Sequence, residues 1–279
     1  MRAMLLLLSG LLLAALPFLF AAGPDTFHFV LIGDRTGEHV PGVYEQVWKS
    51  LAADKPAFVL TPGDTIEGLH DETAATEWQQ VETILKPWSA LPLYLTPGNH
   101  DIWSDGSEKN FREYAHHDPH YSFDYGTAHF TVLDNSRSDF LSGAEMAFLE
   151  EDLKAHQSQP WKFIVSHRPS WIVNALIDDP LFALQQVAKK YGVQYVISGH
   201  IHQLFHAQLQ GITYLSMESA GGHLRASGKY EDGWFFGYTE VSITPKSVDF
   251  KIHELGAPFG EGRTTNLSDW GKAGLLTRR

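Results

Sequence analysis

Three times in the first half of this chain an apolar, strand-like run leads into a short loop and then into a helix-like stretch, and this repetition restricts the fold more than any other feature. Residues 27–32 (FHFVLI) end at Gly33-Asp34, after which Val43, Val47 and Leu51 recur at helical spacing just beyond Pro41. Residues 57–61 end at Pro62-Gly63-Asp64 and are followed by a helix expected over about 74–88. Residues 91–96 run into Pro97-Gly98-Asn99-His100-Asp101. Strand, loop and helix in alternation predict a largely parallel sheet with helical crossovers. Ligands of such sheets bind beyond the carboxyl ends of the strands, which is where these loops fall.

The second half continues with more strands. A hairpin is expected from 121–125 and 129–134 around Gly126-Thr127, then a helix opened by a Ser142–Glu145 capping box with Met146, Leu149 and Leu153 on one face. Residues 161–165 form a strand that delivers His167, and Asp179-Pro180 should start a helix bearing Leu181, Leu184 and Val187. A strand over 193–197 delivers Gly199-His200-Ile201-His202, and hairpin strands follow at 205–209, 212–217, 235–243 and 247–253. The pattern implies an α/β protein of two stacked sheets with helices outside. One domain is expected over 24–255, and the Gly-rich, polar segment 256–279 reads as a loop-like tail.

The loops share one chemistry. Asp34, Asp64, Asn99, His167, His200 and His202 offer carboxylate, amide and imidazole donors, and the 279 residues include no cysteine. Such a set suits hard or borderline divalent metals and points to metal-assisted hydrolysis of phosphate esters. The formal net charge of -12 opposes a nonspecific grip on nucleic acid but leaves room for a small phosphate ester held by metals. Residues 1–23 read as a secretory signal peptide, with Arg2, an apolar run from Leu5 to Phe20 and the small residues Ala21-Ala22-Gly23. An uncleaved anchor is the alternative. Cleavage would leave no membrane span and a periplasmic or secreted protein.

The ordered motifs D, GD, GNHD, H and GHxH, with spacings of 30 and 35 residues between Asp34, Asp64 and Asn99, resemble the calcineurin-like metallophosphoesterase superfamily over nearly all of 27–253. The resemblance implies a four-layer α/β/β/α sandwich and two divalent ions of Mn, Fe or Zn. By the same resemblance Asp64 would bridge the ions. Asp34 and His202 would complete the first site, and Asn99, His167 and His200 the second. A metal-bound hydroxide would attack in line, with His100 as the general acid and Asp101 holding its ring. The implied substrates are phosphomonoesters or phosphodiesters. The alternatives are a specific diesterase for nucleotides or phospholipid head groups, or a catalytically idle binding scaffold.

One motif departs from the family pattern. Asp-x-His is usual, but here Asp34-Arg35-Thr36 places Thr36 where the histidine belongs. Glu67 stands where the purple acid phosphatase branch has a metal-binding tyrosine, so Glu67 or water is expected to fill the vacancy. Arg35 is the candidate phosphate-binding guanidinium, with a surface salt bridge as its alternative. His116, His117 and His120 read as a solvated loop. Trp103 reads as core or as a stacking platform, and His223 as a turn residue, with a substrate contact as its alternative. Specificity is expected from the loops at 103–120, 171–178 and 219–232.

Overall fold

The computed structural model describes residues 23–177, 179–256 and 258–271. The expected signal peptide falls outside the described residues up to position 22, as does the end of the tail from 272. In chain order the elements are β1 (Phe27–Leu31), α1 (Val43–Ala53), β2 (Val59–Thr61), α2 (Asp71–Leu85), β3 (Leu93–Leu95), α3 (Asp105–Ala115), β4 (Tyr121–Tyr125), β5 (Ala128–Val132), α4 (Gly143–Ala155) and β6 (Trp161–Val165). There follow α5 (Ile172–Leu176), α6 (Ala183–Tyr191), β7 (Tyr195–Ser198), β8 (Phe205–Leu209), β9 (Ile212–Ser216), β10 (Gly237–Ile243), β11 (Val248–Gly256) and β12 (Gly260–Asn266).

The strands form two six-stranded mixed sheets, ordered β12-β11-β10-β1-β2-β3 and β4-β5-β6-β7-β9-β8. β1, β2 and β3 are parallel, as are β5, β6, β7 and β9. Phe27, Phe29 and Leu31 of β1 project into the core between the sheets, while Val30 and Ile32 pack on Val43, Val47, Trp48 and Leu51 beside α1. A strand covered on both faces needs apolar side chains on both, which is why 27–32 shows no alternation. Between the sheets, Phe29 stacks on Phe58 at 4.8 Å and meets Phe130 edge-on at 5.2 Å, and Phe130 stacks on Phe163 at 4.8 Å. On the far side of the second sheet, Leu149, Leu153 and Leu184 cover Ile164 and Val196. The layers therefore run helix, sheet, sheet, helix, as the motif order implied. Among the described residues no helix is long and apolar enough to cross a membrane.

The structure departs from the sequence expectations in four places. Residues 105–115 form α3 rather than loop: Ser104 Oγ accepts from Ser107 N at 3.0 Å, and Ser107 Oγ accepts from Ser104 N at 2.8 Å. Only Ser107 and Phe111 of that helix are buried, too few to write an apolar stripe into the sequence. The tail after Leu255 is not loop throughout, because β12 pairs antiparallel with β11. Its residues are nearly all exposed, and an edge strand wet on both faces carries no alternation. Trp270 beyond it is buried against Tyr230 and Phe235. The Ser142 cap is one-sided: Ser142 Oγ accepts from Glu145 N, but the Glu145 carboxylate accepts from His120 Nδ1 at 2.7 Å and Asp134 N at 3.0 Å. Finally, α6 starts at Ala183, and Asp179 caps the preceding turn through Leu181 N at 2.9 Å.

Glu218, just past β9, is fully buried with one hydroxyl donor, Thr239 Oγ1 at 2.9 Å. Burial pushes its carboxyl up from 4.5 to about 7, and the hydrogen bonds only partly oppose this. Its folded-state pKa lies above the unfolded value, so its stability contribution is fully present below pH 4.5 and is lost as pH rises through about 7. Glu218→Gln keeps the acceptor and removes the charge. Thermal melts should show the variant more stable than wild type at pH 8.5 and equal to it near pH 4. No gain at the higher pH would contradict this reading.

Candidate metal centre

Each expected ligand follows the carboxyl end of a parallel strand: Asp34 after β1, Asp64 after β2, Asn99 after β3, His167 after β6, and His200 and His202 after β7. Three of these residues, Asp64, His200 and His202, have left-handed backbones with φ of 59°, 72° and 59°. That conformation costs a non-glycine residue about 1–3 kcal/mol and persists only where the surroundings enforce it. Close packing of the loops is part of that enforcement. A Cβ on Gly98 would lie 2.2 Å from Asp64 Oδ1, and one on Gly63 would lie 2.7 Å from His167 Nδ1.

Four donor atoms converge. His167 Nδ1 donates to the Pro62 carbonyl at 2.9 Å, which leaves Nε2 to carry the lone pair. Around that Nε2 stand Asp64 Oδ2 at 3.2 Å, Asn99 Oδ1 at 3.1 Å and His200 Nδ1 at 3.2 Å. Bonds of about 2.0–2.2 Å in a tetrahedral site place neighbouring ligand atoms about 3.3–3.6 Å apart. The three spacings about His167 Nε2 are thus close to those of atoms that share one small divalent cation. Asp64 Oδ2 is a buried oxygen that faces His167 Nε2, so either a proton on that nitrogen or a cation must meet its charge. Burial disfavours a charge on His167, but Asp64 and Asp34 more than offset this and raise it to about 9. Burial and that neighbouring charge push His200 down to about 3.

Asp34 and His202 stand outside this tight group. The Asp34 carboxylate accepts from His200 N at 2.9 and 3.0 Å, and burial raises its pKa despite His202 and His167 nearby. His202 Nδ1 donates to the His223 carbonyl at 2.7 Å, so its Nε2 presents the lone pair, and Arg225 Nη2 lies 3.4 Å from it.

Three expected roles are corrected. Asp101 does not hold the His100 ring. Its fully buried carboxylate accepts the backbone N–H groups of Asp64 (2.8 Å), Gly98 (2.9 Å), Thr65 (2.8 Å) and Ile66 (3.2 Å). His100 Nδ1 donates instead to the carbonyl of Glu67. Arg35 turns away from the ligands, donating to the Thr65 carbonyl at 3.0 Å beside the Tyr44 ring. The Glu67 carboxylate engages His39 Nδ1 at 2.6 Å and the backbone N–H groups of His39 and Glu38, not Asp34 or His202. Partial burial opposes its ionisation, but Thr36 and His39 outweigh this and hold it down at about 2. Thr36 is buried, and the N–H groups of Arg35 and Thr36 both donate to the Asp64 carbonyl.

The other candidates resolve simply. Trp103 packs on the Ile66–Ile102 cluster. His116 caps α3, His117 lies 3.9 Å from the Tyr121 ring, and His120 pairs with Glu145. His223 and Arg225 line a cleft of about 560 Å³ together with Gly37, Glu67 and His100. Arg225 was missed from sequence because nothing near it in the chain binds metal. A second gathering of Asp124, His129 and His156 is an ion-pair network, since both His129 nitrogens contact carboxylates, Asp124 at 2.7 Å and Asp152 at 2.8 Å.

A convergent set of oxygen and nitrogen donors at the strand ends of a double-sheet α/β sandwich, with a histidine beside it, defines a metal-dependent hydrolase of phosphoric esters. The chain belongs to the calcineurin-like phosphoesterase family, whose model matches residues 27–204. It is 25% identical over 236 residues to the human serine/threonine-protein phosphatase CPPED1, covering 77% of this chain and 73% of that one. It is 30% identical over 191 residues to the 3',5'-cyclic-nucleotide phosphodiesterase alr5338 of Nostoc, covering 62% and 66%. The purple acid phosphatase PPD1 of yellow lupin shares the fold with a TM-score of 0.64 at 16% identity, covering 88% of this chain and 54% of that structure. This chain therefore spans about half the length of the lupin structure.

Asp101→Asn would place an amide donor among four N–H donors. Urea unfolding should show a loss of about 2–5 kcal/mol, as expected for stranded buried groups, together with weaker metal binding. An unchanged unfolding midpoint with only a shifted pH–rate profile would mean that Asp101 acts on His100 after all.

Proposed function

We propose that this chain is a periplasmic or secreted phosphoesterase that hydrolyses small phosphomonoesters or phosphodiesters, with a divalent metal on Asp64, Asn99, His167 and His200 and with His100 as general acid. The observation that carries this reading is the convergence of Asp64 Oδ2, Asn99 Oδ1 and His200 Nδ1 on His167 Nε2, with His100 tied to Asp64 through its backbone N–H. The relatives described as phosphatases and as a cyclic-nucleotide phosphodiesterase support both ester classes. The export assignment rests on the N-terminal sequence alone.

A divalent ion on those ligands would neutralise phosphoryl charge and lower the pKa of water to about 7. The chain's own residues supply the rest. Hydrolysis forms a bond from a water oxygen to phosphorus and breaks the ester P–O bond, so the departing oxygen needs a proton. In this reading His100 delivers it. Its Nδ1–H is tied to the Glu67 carbonyl, so the proton it can exchange with substrate is the one on Nε2. The His100 backbone N–H also donates to Asp64 Oδ1 at 2.9 Å, which locks the acid to the ligand loop. The buried Asp101 carboxylate holds both loops in register.

A panel of mono- and diesters assayed with Mn²⁺, Zn²⁺ and Fe²⁺ tests the reading, and a folded chain that turns over none of them refutes it. His100→Ala should lower kcat by about 10²–10⁴-fold on alkyl esters, whose leaving oxygen needs the proton. It should lower kcat far less on nitrophenyl esters, and metal content should stay unchanged. Equal losses on both ester types would remove His100 from the acid role.

A further inference from the structure

Around the first metal position a positive charge already stands. Arg225 Nη2 is 3.4 Å from His202 Nε2, the lone-pair nitrogen that the resemblance assigned to the first ion. The same guanidinium lies beside Gly37, where a Cβ would sit 3.0 Å from His202 Cε1 and 3.8 Å from Arg225 Nη2. Its charge also reaches His200. Among the described residues no carboxylate lies within ion-pair distance of Arg225, whereas Arg168 is bound to Asp139 and Arg35 to the Thr65 carbonyl. A cation left unpaired in a chain of net charge -12, facing a cleft, is available to an anion.

The segment that carries Arg225 is held in place. Ala220 N and Gly222 N donate to the Asp34 carbonyl, His223 N to the Gly37 carbonyl, and Val40 N to the Gly221 carbonyl. The segment is therefore zipped onto the loop that bears Thr36, the residue replacing the usual histidine ligand. Thr36, which offers no ring nitrogen, and the Arg225 guanidinium thus lie on two strips of backbone bonded to each other.

We propose that Arg225 replaces the second metal ion: the chain binds one divalent cation on Asp64, Asn99, His167 and His200, and the Arg225 guanidinium, seated on His202, supplies the second positive charge that binds the phosphoryl group of the substrate. A planar guanidinium can bind two phosphoryl oxygens at once and needs no protein ligand in place of Thr36. It stabilises charge that builds on those oxygens, while proton delivery stays with His100. This inference rests on the phosphoesterase reading above and fails separately from it.

The test is metal stoichiometry. The full chain, stripped with a chelator, is titrated with Mn²⁺ or Zn²⁺ by calorimetry, and bound metal is counted by elemental analysis after dialysis. Wild type should hold one ion per chain, and a Thr36→His/Arg225→Ala double variant should hold two. Two ions in wild type, or one ion in both chains, overturns the assignment of Arg225. In the one-ion form, Arg225→Ala should weaken binding of inorganic phosphate at least tenfold, and unchanged phosphate affinity also overturns it. This second measurement stands if the double variant fails to fold. Two ions with full ester turnover would sink the Arg225 assignment alone. No bound ion and no turnover would sink the phosphoesterase reading along with it.

Discussion

The Asp101 carboxylate is the tie on which the site depends. It is wholly buried and accepts four backbone N–H groups, from Gly98 in its own loop and from Asp64, Thr65 and Ile66 in the loop before it. Hydrogen bonds to a charged acceptor are roughly twice as strong as neutral ones, so one side chain can hold the left-handed Asp64 against its backbone strain. Asp64 then passes the constraint on. Its carbonyl accepts the N–H groups of Arg35 and Thr36, and its Oδ1 accepts that of His100. Three loops that leave three different strands are thus fixed to one another before any metal is considered.

Those loops gather like charges. Asp34, Asp64 and Asp101 are all buried; loss of water raises the carboxyls of Asp34 and Asp101, whereas His167 and His100 outweigh the same burial at Asp64 and hold it well below the usual carboxylate range. The structure meets the charge differently at each. Backbone N–H groups meet Asp101, while His167, lifted to about 9, meets Asp64 in the absence of a cation. Asp34 has two contacts from a single N–H, of His200, together with the field of His202. The Asp34 side is therefore the less compensated one, and it is also where Thr36 offers no nitrogen and where Arg225 comes to rest against His202.

Sequence was legible where a motif and a strand end coincide. Asp34, Asp64, Asn99, His167, His200 and His202 were all identified from residue type and position beyond an apolar run, and the structure brings every one of them to the same end of the sandwich. Legibility failed for side chains whose direction depends on a distant neighbour. Arg35 adjoins a ligand but points to Thr65 and Tyr44, and Glu67 sits in a ligand's family position but is taken by His39. His100 was expected to lean on the adjacent Asp101 and is held by the carbonyl of Glu67 instead. It failed too for elements with little apolar surface, α3 and the edge strand β12, because pattern reading detects burial and these bury little.

By itself the sequence determined the order of strands and helices and the donor chemistry of the loops. These follow from residue type and from periodicities of two and 3.6 along the chain. Only the tertiary structure decided which donors converge, which carboxylate is a brace and which guanidinium faces the cleft. Those outcomes depend on distances of about 3 Å between residues far apart in the chain, such as His167 and Asn99 or His202 and Arg225. The meeting of two loops is set by the packing of the sheets beneath them, and no local pattern in either loop encodes it.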